Sequence, residues 1–206
     1  MLYRLRYLLL ILFFGCLALP AQAQELSFRD SIAHYHRIRL KTNHTGALIL
    51  TGWGLTNVAA GGTGYFAAQK DEWKYFHEMN AGFGVVNTIV GAANVWAAQR
   101  AAAQKPDYSI ACDQYKANRR RYLYGSALDA AFIVAGIALT QNADKSPENK
   151  DVYNGFGKAL VTQGAALLIF NNAMYALHGR MNARWFQLMT ELRFTGASIG
   201  YVHTFR

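Results

Sequence analysis

Three asparagines, Asn80, Asn87 and Asn94, recur at intervals of seven, which places their amides on one stripe of a helix. An amide both donates and accepts. Inside an apolar bundle such a stripe either ties helices together or lines a polar ligand site or a water-filled path. Candidate partners are Asn57, Thr162, Gln163, Asn171 and Asn172. Asp129 is the single formal charge within the apolar runs. A carboxylate at that depth must be paired, protonated or placed on a cavity. Arg121 and Lys158 are its candidate partners, unless it reaches the interface. His77 and Glu78 are neighbours in Trp73-Lys74-Tyr75-Phe76-His77-Glu78-Met79-Asn80. On a helix adjacent side chains diverge by about 100°, so the two suit a proton relay or a headgroup contact better than a shared metal.

Other groups point to less chemistry. His34 and His36 would share a face only on a strand, and neither Cys, Asp nor Glu completes a metal set with them or with His44. Gly61-Gly62-Thr63-Gly64 lacks a basic residue at phosphate-binding spacing, and none of the zincin, serine-hydrolase or P-loop patterns occurs. No catalytic residue, metal or cofactor is therefore expected. Of the two cysteines, Cys16 lies in the N-terminal run, which leaves Cys112 without an internal disulfide partner.

The elements that must position these groups are long and apolar. Four runs, 45–69, 79–99, 122–143 and 159–179, are each uncharged apart from Asp129 and reach the ~18–20 residues that cross a hydrocarbon core. Trp73, Tyr108, Tyr122, Tyr153 and Trp185 flank them as an interfacial belt would. Gly82-Phe83-Gly84 followed by Gly91-Ala92-Ala93 recurs as Gly155-Phe156-Gly157 followed by Gly164-Ala165-Ala166. Gly84, Gly91, Gly157 and Gly164 are thus candidate helix-packing positions, where small residues let backbones approach. Ala60-Gly61 pairs in the same way with Ala135-Gly136. The runs are rich in Gly, Ala, Asn and Thr and the mean hydropathy is only +0.02, a composition that a buried soluble bundle also tolerates.

The expected fold is all-α: a four-helix membrane bundle over 45–179, built from two repeated helical hairpins (45–100 and 122–180). Residues 24–44 form an N-terminal amphipathic segment. After Arg180 the pattern alternates about Gly196, which predicts a short C-terminal β-hairpin or extended tail over 180–206. Residues 1–23 read as a signal peptide, with Arg4 and Arg6, an apolar run and an Ala21-Gln22-Ala23 cleavage site. A lipoprotein signal at Gly15-Cys16 is the alternative. The formal net charge of +9 fits a lipid bilayer with anionic headgroups as partner, and no aromatic-interleaved basic surface points to nucleic acid. A homo-oligomer or an envelope protein partner fits as well. The leader places the 100–121 segment outside, whereas its arginines, by the positive-inside rule, place it inside.

On Phe76-His77-Glu78-Met79-Asn80, with spans on both sides and a leader in front, the chain resembles an uncharacterised family of exported bacterial multi-pass membrane proteins, a domain of unknown function. The resemblance implies the architecture and no substrate. The expected function is a multi-pass envelope protein of the inner membrane, non-enzymatic, whose polar core is structural or binds a small ligand. The alternatives are a proton-coupled carrier or intramembrane enzyme using Asp129 with His77 and Glu78, and a periplasmic helical bundle associated with the outer membrane.

Overall fold

A computed structural model describes residues 28–104, 108–195 and 198–201. The leader, its Cys16 alternative and the Gly196 turn lie outside the described residues. Four helices follow in order: α1 (Phe28–Ala67), α2 (Asp71–Ala102), α3 (Tyr108–Asn142) and α4 (Lys150–Glu191). At 32 to 42 residues they run roughly 50–60 Å, well past a ~30 Å hydrocarbon core. The described part of the 24–44 segment is helical, and α1 passes through it unbroken into the first apolar run.

Short links make both pairs antiparallel. Lys70 is extended ahead of α2, and Asp71 and Glu72 occupy its first turn, where the helix dipole favours negative charge. Asn142 hands over to α4 through two 3-10 turns, Ala143–Lys145 and Pro147–Asn149, the second started by a proline. Beyond α4, β1 (Leu192–Thr195) and β2 (Ser198–Tyr201) pair antiparallel, with Leu192 opposite Tyr201.

α1 packs along α2, and α3 along α4. The two hairpins meet chiefly through α2 against α4; α4 also touches α1, while α1 and α3 barely meet. Glycines set the closeness of each pair. A Cβ on Gly84 would stand 2.6 Å from the Val58 nitrogen and 2.7 Å from the Gly54 oxygen. On Gly157 it would stand 2.7 Å from the Gly136 oxygen and from Thr140 Cγ2. Gly91 lies against Thr51, and Gly164 against Asp129 and Ile133. The contact partner that matches Gly136 is thus Gly54. Gly61, expected in that place, instead meets His77 and Ala81, two turns further along α1.

Among the described residues three segments are long and apolar enough to cross a membrane: Asp71–Ala102, Lys116–Lys145 and Pro147–Met181. The run 45–69 on α1 is not among them; its Gly, Thr and Asn content lowers its hydropathy. Polar side chains share the interior with apolar ones, and large aliphatic side chains face outward. Asn57, Asn80, Asn87, Asp129, Gln163 and His178 are buried, while Ile89, Val134 and Ile169 are 64%, 67% and 72% exposed.

Candidate functional site

The interior holds two polar constructions stacked along the axis. The first centres on Gln163 of α4, which is fully buried. Its Nε2 donates to Asn57 Oδ1 at 2.6 Å and to Asn80 Oδ1. Its Oε1 accepts from Trp53 Nε1 at 3.1 Å. Asn57 and Asn80 spend their own Nδ2 on the carbonyls one turn back, Trp53 O and Phe76 O, at 2.7 and 2.8 Å. One side chain thus binds α1, α2 and α4 together, and the Gln163 amide fills both donors and an acceptor. A closed network of this kind stiffens a core and offers a ligand nothing.

The second construction is a cavity of about 510 Å³ lined by all four helices, a volume typical of small-molecule sites. Its lining runs on α2 from Phe83 to Ala101 and on α3 from Asn118 to Phe132, so it is a slot roughly 20 Å or more in length. Phe83 and Phe132 meet edge-on across it, with centroids 5.4 Å apart, one turn from Asn80 and the closed network. Leu50, Val86, Val90, Leu128 and Leu167 supply apolar wall. Toward the other end stand Arg39, Asn43, Asn118 and Arg121.

Several polar atoms here lack partners. Arg39 is 4% exposed, and its Nε, Asn87 Nδ2 and Asn118 Nδ2 are buried without a hydrogen bond, as is Asn43 Oδ1. Arg39 Nη2 donates to His36 Nδ1 at 3.3 Å. Among the described residues no carboxylate lies within ion-pair distance of Arg39. Burial lowers the Arg39 pKa, and burial with the Arg39 charge lowers that of His36, which keeps the imidazole an acceptor.

The asparagine stripe divides three ways. Asn80 joins the Gln163 network, Asn94 accepts from Arg121 Nη2 at 2.7 Å, and Asn87 faces the cavity with its donor unused. Asp129 is buried and its Oδ2 accepts from Asn171 Nδ2 at 2.7 Å. Neither expected cation pairs with it: Arg121 is held by Asn94, and Lys158 bonds Glu72. Thr162 and Asn172 are exposed and bond carbonyls of their own helix. His77 lies against Gly64 and Glu78 is exposed. Gly155 touches Phe76 while Gly164 touches Asp129; those nine residues of α4 separate the two levels by roughly 13 Å. His77, Glu78 and Asp129 do not form one cluster.

Residues 49–172, more than half the chain, match a family described as of unknown function, DUF6992. The chain belongs to the DUF6992 family. No curated protein and no solved structure matches it. The DUF6992 segment contains the whole Gln163 network and the Asp129–Asn171 pair. Arg39, Asn43 and His178 lie outside it, on the extensions of α1 and α4. In this DUF6992 chain the slot therefore combines a family interior with an end built from flanking helix.

Arg39, Asn118 and His178 were not singled out from sequence. His178 is fully buried and stacks on Tyr122 at 5.3 Å. A seven-residue series, Gly157, Gly164, Asn171, His178, carries the packed stripe of α4 to this histidine, and that spacing was the available signal. Arg39 gave none, because an arginine between Arg37 and Lys41, ahead of an apolar run, reads as part of a solvated basic stretch.

Proposed function

We propose that this protein is a multi-pass membrane protein, non-enzymatic, whose four-helix bundle holds a small ligand in its interior slot. The observation that carries the reading is a polar set buried beneath an aliphatic surface: amides, a carboxylate and an imidazole inside, isoleucine and valine outside. Water favours the opposite arrangement. In lipid, outward aliphatic side chains lose nothing and inward polar ones must find each other. The four helices, α1 included, form the spanning unit, and we take the two hairpins as a repeat. Its support is the matched contacts Thr51–Gly91 and Ile133–Gly164, and Gly54–Gly84 and Gly136–Gly157.

The reading extends to an inner membrane and to anionic headgroups as partner. One pole of the bundle carries Arg37, Lys41, Arg100, Lys116, Arg119 and Arg120; the opposite pole balances Lys70, Lys74, Lys145 and Lys150 with Asp71, Glu72, Asp144 and Glu148. That asymmetry suits attachment to an anionic surface.

Carbonate extraction followed by accessibility labelling tests this. The protein should stay in the membrane pellet, and an impermeant thiol reagent should label either Cys112 or S146C in intact cells, not both. Release by carbonate, or labelling at both poles together with Q69C, would replace the spanning bundle by a peripheral one.

A further inference from the structure

We propose that the slot is a lipid site for one acyl chain carrying an anionic head, a phosphate or a carboxylate, with the head held at Arg39 and Asn118. The proposal rests on the membrane reading for its supply of ligand, and on the slot itself for its chemistry.

The polar groups at the Arg39 end are arranged as a receptor and not as a brace. Arg39 and Asn118 are each at least nine-tenths buried, both line the slot, and both leave an N–H without an acceptor. A buried guanidinium lacking a carboxylate is costly, and an oxyanion of phosphate or carboxylate would satisfy it with charge-assisted hydrogen bonds. Arg121 adds a second positive charge on the same wall. The Gln163 network shows what the same fold does when polar groups serve structure alone: every side-chain nitrogen and oxygen in it has a partner.

The rest of the slot suits a chain. Aliphatic side chains line it as far as the Phe83–Phe132 pair, and its long axis follows the helices, as a lipid tail in a bilayer follows the membrane normal. Arg39 lies just beyond the apolar run that begins at 45, the level at which a headgroup sits. Asp129 fixes the direction of entry. Thr42 reaches Met181 and Asp129 reaches Asn171. Those ten residues of α4 put Asp129 roughly 15 Å deeper than the Arg39 end, and a carboxyl group, ionised or neutral, gives an anionic head no positive partner there. Part-way down, the unpartnered Asn87 Nδ2 offers a donor to an ester or hydroxyl oxygen of the ligand.

The test is native mass spectrometry of the full-length protein in a nonionic detergent, titrated separately with lysophosphatidylglycerol, palmitate, lysophosphatidylcholine and inorganic phosphate. Lysophosphatidylglycerol or palmitate should bind one per chain, and which of them binds tighter identifies the head as phosphate or carboxylate. Arg39→Gln should weaken that binding at least about tenfold, the equivalent of one charge-assisted hydrogen bond. Arg39→Lys should retain most of it, and Lys70→Gln, an exposed change at the opposite pole, should leave it unchanged. Thermal unfolding of the lipid-free protein supplies the second readout. With its ligand role removed, R39Q should melt at or above the parent temperature, whereas a structural arginine would lower it. If R39Q does not accumulate, Asn118→Asp, which puts a like charge at the head position, should abolish binding of the anionic lipid alone.

Equal binding of lysophosphatidylcholine and no effect of R39Q would overturn the anionic head. Binding of inorganic phosphate as tight as that of the lipids would overturn the acyl chain. Should the protein prove soluble without detergent, the membrane reading falls, and the same titrations in buffer still decide the slot.

Discussion

On α2, Asn87 and Asn94 stand three residues beyond Gly84 and Gly91; on α4, Leu160 and Leu167 stand three residues beyond Gly157 and Gly164. In both hairpins the glycines touch the partner helix. In both, the residue three positions on faces the interior, yet one hairpin fills it with amides and the other with leucines that are 9% exposed. The glycine contact fixes how far apart the helix axes lie, and that leaves the neighbouring stripe free to set what the interior is made of. Leucine needs only volume. Each amide needs a partner, and the three asparagines of α2 found a glutamine, an arginine and, at Asn87, a cavity.

The largest effect should come from breaking the shared part of this comparison. Gly84→Leu and Gly157→Leu place a side chain where backbone atoms of the partner helix, and at Gly157 also Thr140 Cγ2, already stand within 2.6–2.7 Å, beyond what rotamer adjustment absorbs. Both variants should lose the folded bundle, seen as loss of protease resistance in micelles. Gly82→Ala, with nothing within 4 Å, should be neutral or stabilise by about 0.5–1 kcal/mol through helix propensity. If G84L folds and G157L does not, the two hairpin contacts are not equivalent.

Next in size is the loss of the network that joins the hairpins. Gln163→Leu strands the Trp53 indole N–H and the Oδ1 atoms of Asn57 and Asn80 in a dry interior. At about 1–3 kcal/mol for each unsatisfied group, the variant should lose about 3 kcal/mol or more in mixed-micelle SDS unfolding. Leu160→Asn, which writes the α2 chemistry into α4, should cost about 2–4 kcal/mol for lost packing and an unpartnered amide. A Q163L loss below about 1 kcal/mol would mean that the amides rearrange and that the hairpins are joined by packing alone.

What the sequence made legible follows from the same split. Four apolar runs and recurring Gly-Phe-Gly blocks are local patterns, so the helical bundle and the short alternating strands near the end could be read directly. Gln163 and Asn57 could be named as partners of the stripe because an amide in an apolar surround has few choices. The register of each hairpin was not legible: Gly54 and Gly61 are two turns apart on one face, and only the crossing selects Gly54 as the mate of Gly84. The slot was not legible either. It exists because Arg39, Asn118 and Asn87, on three helices and far apart in sequence, converge while α1 and α3 stay apart. Such convergence leaves no trace in spacing.

The smallest expected effect discriminates most finely, because its sign carries the argument. Asn87→Leu gives α2 the residue type that α4 carries three positions beyond its own glycine. If Asn87 were interhelical glue, removing it would cost stability, as with Gln163. Its Nδ2 has no partner, however, and replacing a buried donor that bonds nothing by an aliphatic side chain of the same branching removes a desolvation penalty. The introduced isobutyl group would also reach into the slot and fill part of it. The lipid-free variant should therefore gain about 0.5–1 kcal/mol in micelle unfolding while its occupancy by lysophosphatidylglycerol falls. A loss of stability instead would place Asn87 with Asn80 among the braces, and the difference between the two hairpins would then be one of cohesion and not of an interior kept open for a ligand.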